Sequence, residues 1–325
     1  MVSIANARYG AETLSSLPFD EPVTLKQRLS DAVFAKRWLM LLLMLVPPLL
    51  WLGVIYLGSL FVLLTQSFFS IDEFSGAIVR VPTLKTFAEL LQAANFDVIV
   101  RTVAMALAVT LASAAFAFPI AYYAARYAHG WKKAAFYLAV MLPLWSSYLV
   151  KVYAWKLLLA KEGAVVWLAD RIGALRAIDV ILSVPGIGGP SLSASYIGQF
   201  LVFMYLWMPF MILPIMAALE RVPNSLIEAS ADLGAAPHQT FRSTILPLAI
   251  PGVAAGSIFT FSLTLGDYVL PQVIGPSTLL IGQAVYMLQG TAGNVPLAAA
   301  FAVVPIAVMM IYLAFAKRLG AFDAF

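Results

Sequence analysis

The 325-residue chain is 62% hydrophobic and only 11% charged, against roughly a quarter charged in an average soluble domain, which excludes a water-soluble globule. Its 0 cysteines and two histidines, His129 and His238, exclude disulfides, thiol catalysis and Cys- or His-rich metal centres. The net charge of +4 comes from Lys and Arg placed at the ends of apolar stretches, a topology signal and not the single basic face of a nucleic-acid binder.

Residues 1–36 are polar and mixed in charge, without an early apolar core and cleavage site, so the first span is expected to serve as its own uncleaved signal. Within them Thr24-Leu25-Lys26-Gln27 has the form of a capping box and predicts a short amphipathic helix, with Leu25, Leu29 and Val33 on one face. This segment is read as cytoplasmic, and residues 37–325 as one transmembrane domain. Six stretches approach or exceed the ~20 residues that cross a bilayer core: 38–64, 98–125, 134–149, 196–219, 245–266 and 295–316. Pro47-Pro48 is tolerated in the first because neighbouring helices can satisfy freed backbone groups. Residues 149–195 carry too many charges for lipid and include Pro185-Gly186-Ile187-Gly188-Gly189-Pro190, so they read as short interfacial helices on the outer side.

Basic residues mark the cytoplasmic ends of spans. With both termini inside, Lys36 and Arg37, then Arg126, Lys132 and Lys133, then Arg221 and Arg242, then Lys317 and Arg318 all fall on the inner side, while 267–294 holds no Lys or Arg. Lys151 and Lys156 could guide an anionic cargo or contact a docked partner protein, but snorkelling to the interface is the favoured reading for them and for Arg101.

The segment 221–251 is too polar for lipid and strongly punctuated. Asn224 or Ser225 can cap a first short helix, Gly234 falls at a left-handed C-terminal cap, and Pro237 suits the first turn of a second helix. Pro247 and Pro251 mark the return to the membrane. Such a helical knob offers Leu226 and Ile227 to a partner groove. Glu228 lacks any companion acid, metal ligand or nucleophile in the sequence and is explained by the helix dipole, so catalysis by this chain is disfavoured.

Glu228-Ala229-Ser230, Gly234 and Thr244-Ile245-Leu246-Pro247 resemble the Glu-Ala-Ala signature of binding-protein-dependent ABC importer permeases, with Ser230 and Thr244 as mild departures. Residues 132–316 are similar to the spermidine/putrescine and opine-type branch, through Leu142-Pro143-Leu144-Trp145 with Tyr148, Lys151-Val152-Tyr153-Ala154-Trp155, Leu265-Gly266-Asp267-Tyr268-Val269 and Leu280-Ile281-Gly282. The resemblance implies an all-α membrane protein with six transmembrane helices in the type I ABC importer permease (MetI-like) architecture. It implies a bacterial inner-membrane subunit whose cytoplasmic coupling loop, 221–247, docks on an ATPase through Glu228, Ala229, Ser230, Asp232, Gly234, Leu246 and Pro247. The implied partners are a second permease, two ATPase subunits and a solute-binding protein, within membrane lipid. The chain has no Gly-x4-Gly-Lys-Ser/Thr loop, so ATP and Mg are expected on the ATPase, with no cofactor, metal or nucleic acid on this chain.

For cargo, Asp267 is the lone acid between Asp232 and Asp323 and sits at membrane depth, where an ionisable group is a functional candidate. A carboxylate there could hold an ammonium, with Tyr268, Trp145, Tyr153 or Trp155 offering cation-π faces; the alternative is that Asp267 simply reaches outer-side water or pairs with a basic residue of the companion permease, and that the aromatics form an interfacial belt. A polyamine or related cation is the favoured cargo. The rival reading is an ion-coupled secondary transporter, which would use buried coupling groups and internal repeats.

Overall fold

The computed structural model describes residues 37–72 and 74–318. The amphipathic helix expected around 24–33 lies outside them. The described residues fall into two units, divided between 62 and 63.

α1 (Arg37–Leu50) runs through Pro47 and Pro48 into a π-helical stretch, Trp51–Leu57, and continues as α2 (Gly58–Gln66), within which the first unit ends. Two consecutive residues that cannot donate a ladder hydrogen bond are followed here by a wider turn, the usual way a helix absorbs such a defect.

In the second unit a hairpin pairs β1 (Ser70–Ile71) with β2 (Ile78–Val79), Ser70 opposite Val79. Asp72 Oδ1 closes its turn by accepting from the Phe74 and Ser75 amides at 3.1 and 2.8 Å. After α3 (Lys85–Leu90) come the three helices that make the core: α4 (Ala93–Arg126), α9 (Tyr196–Glu220) and α12 (Leu246–Gly266). They pack on one another pairwise. Between lipid-embedded helices close packing of small residues does the work that water exclusion does elsewhere, and buried Ala117, Ala121 and Ala124 of α4 and Ala249, Ala254 and Ala255 of α12 supply it. Three threonine hydroxyls inside these helices are satisfied by their own backbone: Thr102 donates to the Val98 carbonyl at 2.7 Å, Thr110 to Ala106 at 2.7 Å and Thr264 to Thr260 at 2.8 Å.

Five helices among the described residues are long and apolar enough to cross a membrane, 40–66, 93–126, 196–220, 237–266 and 295–318. The third expected span, 134–149, is different. The chain breaks at Ser146-Ser147, and α5 (Trp131–Trp145) meets α6 (Tyr148–Leu158) at 94°. Lys151 Nζ donates to the Pro143 carbonyl at 2.9 Å across this elbow, sharing that acceptor with the Ser146 hydroxyl at 2.8 Å, so Lys151 has a partner on the neighbouring helix. The stretch 149–195 is helical in short pieces as expected: α6, α7 (Ala164–Arg171), α8 (Leu175–Leu182) and a single 3₁₀ turn, Leu192–Ala194. Arg101 also has a partner, forming an ion pair with Asp97 one turn before it.

The segment 267–294, between the last two expected spans, contains α13 (Val269–Val273) and α14 (Ile281–Gly290), and α15 (Val295–Arg318) follows. Their shortness hides them: five and ten residues give no span-length apolar run.

Candidate functional site

The polar segment after α9 folds as α10 (Asn224–Asp232) and α11 (Pro237–Thr240). Val222 is buried and fixes the start. No side chain caps α10, because Asn224 Oδ1 is taken by Arg126 Nη1 at 3.1 Å; the expected cap by Asn224 or Ser225 is absent. The C-terminal end does follow expectation. Gly234 has φ +82°, and a Schellman closure forms, with the Ala235 amide donating to the Ser230 carbonyl at 3.1 Å and the Gly234 amide to Ala231 at 2.8 Å. Pro237 occupies the first turn of α11, whose Gln239 accepts from the Ala236 amide at 2.8 Å.

α11 is not a free-standing helix. It passes through a π turn, Phe241–Ile245, directly into α12, so 237–266 form one continuous rod. Pro247 and Pro251 lie inside that rod and do not break it; the π turn just before Pro247 accommodates the missing donor. Ser230 and Thr240 hydroxyls meet at 3.0 Å and tie α10 to the rod.

Of the expected coupling residues, Glu228, Ala229, Asp232, Gly234 and Pro247 are exposed, Ser230 and Leu246 half-buried. Ile227 turns inward against the cluster of Ala117, Ala121 and Met216, so it is not offered to a partner. Leu226 is 45% exposed, and the apolar residue most open on this surface is Leu233, at 88%. Sequence reasoning misses Leu233 because nothing distinguishes it from any residue that precedes a helix-ending glycine.

At the far end of the same rod the Asp267 carboxylate caps α13. Its Oδ1 accepts from the Val269 and Leu270 amides at 2.8 and 3.3 Å, and its Oδ2 accepts from the Tyr148 hydroxyl. No ion pair to it forms among the described residues. Tyr148 stacks on Trp207 at 6.0 Å and 12°, and Tyr268 on Tyr286 at 5.2 Å and 14°. Tyr148, Trp207, Asp267 and Tyr268 line a cavity of about 380 Å³. A half-buried carboxylate between aromatic faces can hold an ammonium group by charge and cation-π attraction together. The other expected aromatics are elsewhere: Trp145 is 80% exposed at the elbow, Tyr153 is exposed, and Trp155 packs against Tyr205 at 5.0 Å beside an apolar core. Trp207, which sequence reasoning misses, lies in an unbroken apolar span with no polar neighbour to mark it.

Residues 172–321 match the family described as the binding-protein-dependent transport system inner membrane component. The chain is 57% identical over 284 residues to the inner membrane ABC transporter permease protein YdcU of Escherichia coli strain K12, across 87% of this chain and 91% of that one.

The chain belongs to this family of ABC importer permeases.

The permease is also 30% identical over 235 residues to the spermidine/putrescine transport system permease protein PotB of the same strain, across 71% of this chain and 79% of that one. Its fold matches that of a bacterial ABC transporter involved in the import of the acidic polysaccharide alginate, with TM-score 0.64 and 19% identity, over 90% of this chain and 98% of that one. The permease is therefore a multi-pass inner-membrane transport subunit, not an enzyme, of the type I importer architecture, and the ion-coupled alternative falls away.

Proposed function

We propose that this permease pairs with a second permease to form a channel for a small organic cation of the polyamine class, delivered by a solute-binding protein and driven by two ATPase subunits that bind ATP and Mg. The observation that carries the cargo reading is the Asp267 carboxylate, without an ion-pair partner among the described residues and walled by Tyr148, Trp207 and Tyr268. The relative PotB belongs to a spermidine/putrescine transport system, which supports the same class. Both termini and the loop 221–247 lie on the cytoplasmic side in this reading, supported by the basic residues at those ends. The ATPase docks on Glu228, Ala229, Asp232 and the exposed Leu226 and Leu233, while Gly234 and the Ser230–Thr240 contact fix the shape of the knob.

The test is uptake by vesicles carrying the complete importer, with labelled putrescine, spermidine and a neutral sugar supplied on their binding proteins. ATP-dependent uptake of the diamine or triamine alone is expected. Uptake of the neutral solute with no response to either amine would overturn the cargo assignment.

A further inference from the structure

The inner end of α4 holds the coupling loop at both of its ends. Where the loop begins, Arg126, the last residue of α4, donates from Nη2 to the Val222 carbonyl at 2.9 Å and from Nη1 to Asn224 Oδ1 at 3.1 Å. Where the loop rejoins the membrane rod, Phe118 and Tyr122 of α4 each meet Phe241 edge-on at 5.8 Å. Ile227, from the middle of the loop, packs into the same cluster as Ala117, Ala121 and Ala124 of α4. At its opposite end α4 reaches the solute cavity's surroundings: Thr102 Oγ1 accepts the Ile281 amide at 2.9 Å, and the adjacent Gly282 sits against the Asp267 backbone. Twenty-four residues of helix between Thr102 and Arg126 span roughly 36 Å.

We infer that Arg126 is a positioning residue for transport: its two-point grip on Val222 and Asn224 makes α4 a second connection between the coupling loop and the Asp267 region, beside the covalent one through α12. This rests on the reading of 221–247 as the ATPase-docking loop. The chemistry suits the task. A guanidinium fork bonded to a carbonyl and an amide oxygen resists rotation, whereas a lysine ammonium in its place would make a point contact. Lys133 and Tyr137 reinforce the same corner from α5, pairing with Glu220 at 2.8 and 3.1 Å. Without Arg126 the start of the loop loses its polar tie to α4, and only the apolar contacts of Ile227 and Phe241 remain to carry its movement to that helix.

The experiment measures cargo transported per ATP hydrolysed in vesicles carrying the whole importer, for Arg126→Lys, Arg126→Ala, Asn224→Ala and the Arg126→Ala/Asn224→Ala double variant, with ATPase co-purification as the assembly readout. In Arg126→Ala, which removes both hydrogen bonds, the ratio is expected to fall at least about tenfold, the scale on which even one charge-assisted hydrogen bond shifts a two-state equilibrium, with the ATPase retained. Arg126→Lys is expected to recover part of the loss. The double variant is expected to be no worse than Arg126→Ala, since both single changes cut one linkage. An unchanged ratio in Arg126→Ala, or strictly additive losses, would overturn the inference; a loss shared equally by protein yield and co-purification, absent in Asn224→Ala and Arg126→Lys, would reduce Arg126 to a folding role and overturn it too. Leu233→Asp separates the underlying reading: if it leaves ATPase co-purification and uptake intact, the docking loop itself is misassigned, whereas uncoupling in Leu233→Asp with normal Arg126→Ala sinks the α4 linkage alone.

Discussion

Gly282 lies so close to Asp267 that a β-carbon on it would stand 2.5 Å from the Asp267 carbonyl oxygen. Two motifs on either side of α13 thus touch backbone to backbone. Gly282→Ala forces the Asp267 corner to move and is expected to cost about 1–3 kcal/mol, as overpacking does elsewhere. A thermal-shift measurement in detergent would show it. Uptake should fall by more than the loss of folded protein, because the displaced group is Asp267 itself.

Asp267→Asn keeps an oxygen for the Val269 and Leu270 amides but removes the charge. For a cationic cargo the KM is expected to rise at least about tenfold, the scale on which removing one member of a partly buried charge pair weakens binding, while expression and ATPase co-purification stay near those of the parent. Tyr148→Phe tests the neighbouring group: it deletes the hydroxyl bonded to Asp267 and leaves an aromatic face, so a smaller change in KM is expected. Equal KM values for all three proteins would remove this cavity from the transport path.

Gly234→Ala places a side chain at φ +82°, where an L-residue is disfavoured by roughly 1–2 kcal/mol. The knob closure should weaken while the membrane helices remain folded. The expected result is reduced ATPase co-purification with an unchanged circular dichroism spectrum, restored in part by Gly234→Asn, which tolerates that conformation.

Lys151→Met removes the donor that bridges the α5–α6 elbow to the Pro143 carbonyl. A loss of about 1 kcal/mol is expected, given that the ammonium is not fully buried. Lys151→Arg should recover most of it, since a guanidinium can also reach the carbonyl. Melting temperatures of the three proteins in detergent check this, and full stability in Lys151→Met would exclude the bridge.

Much of the fold was legible because bilayer crossing imposes a length that composition reveals: five of the six spans correspond to long helices in the structure. The exception, 134–149, shows the limit of that rule, because Ser146 and Ser147 look harmless in an apolar stretch yet sit at a 94° bend. In the loop, glycine and proline were readable since each has one dominant conformational use, as Gly234 and Pro237 confirm. Asn224 was not, because its amide oxygen could serve its own helix or a distant partner, and Arg126, 98 residues away, was the partner. Asp267 stood out as an isolated charge. Tyr148 and Trp207 could be placed beside it only once α6 and α9 were folded together, since nothing local in an apolar span distinguishes an aromatic residue that lines a cavity from one that faces lipid.

The unbroken run from Pro237 to Gly266 has a mechanical corollary. Thirty helical residues make a rod about 45 Å long, with the α10 knob fastened at one tip and Asp267 at the other. Tilting such a rod by about 10° about its knob end sweeps the Asp267 end through about 8 Å, so under the proposed docking of an ATPase on the knob a modest nudge there is geometrically sufficient to open or shut the far mouth without any helix unwinding.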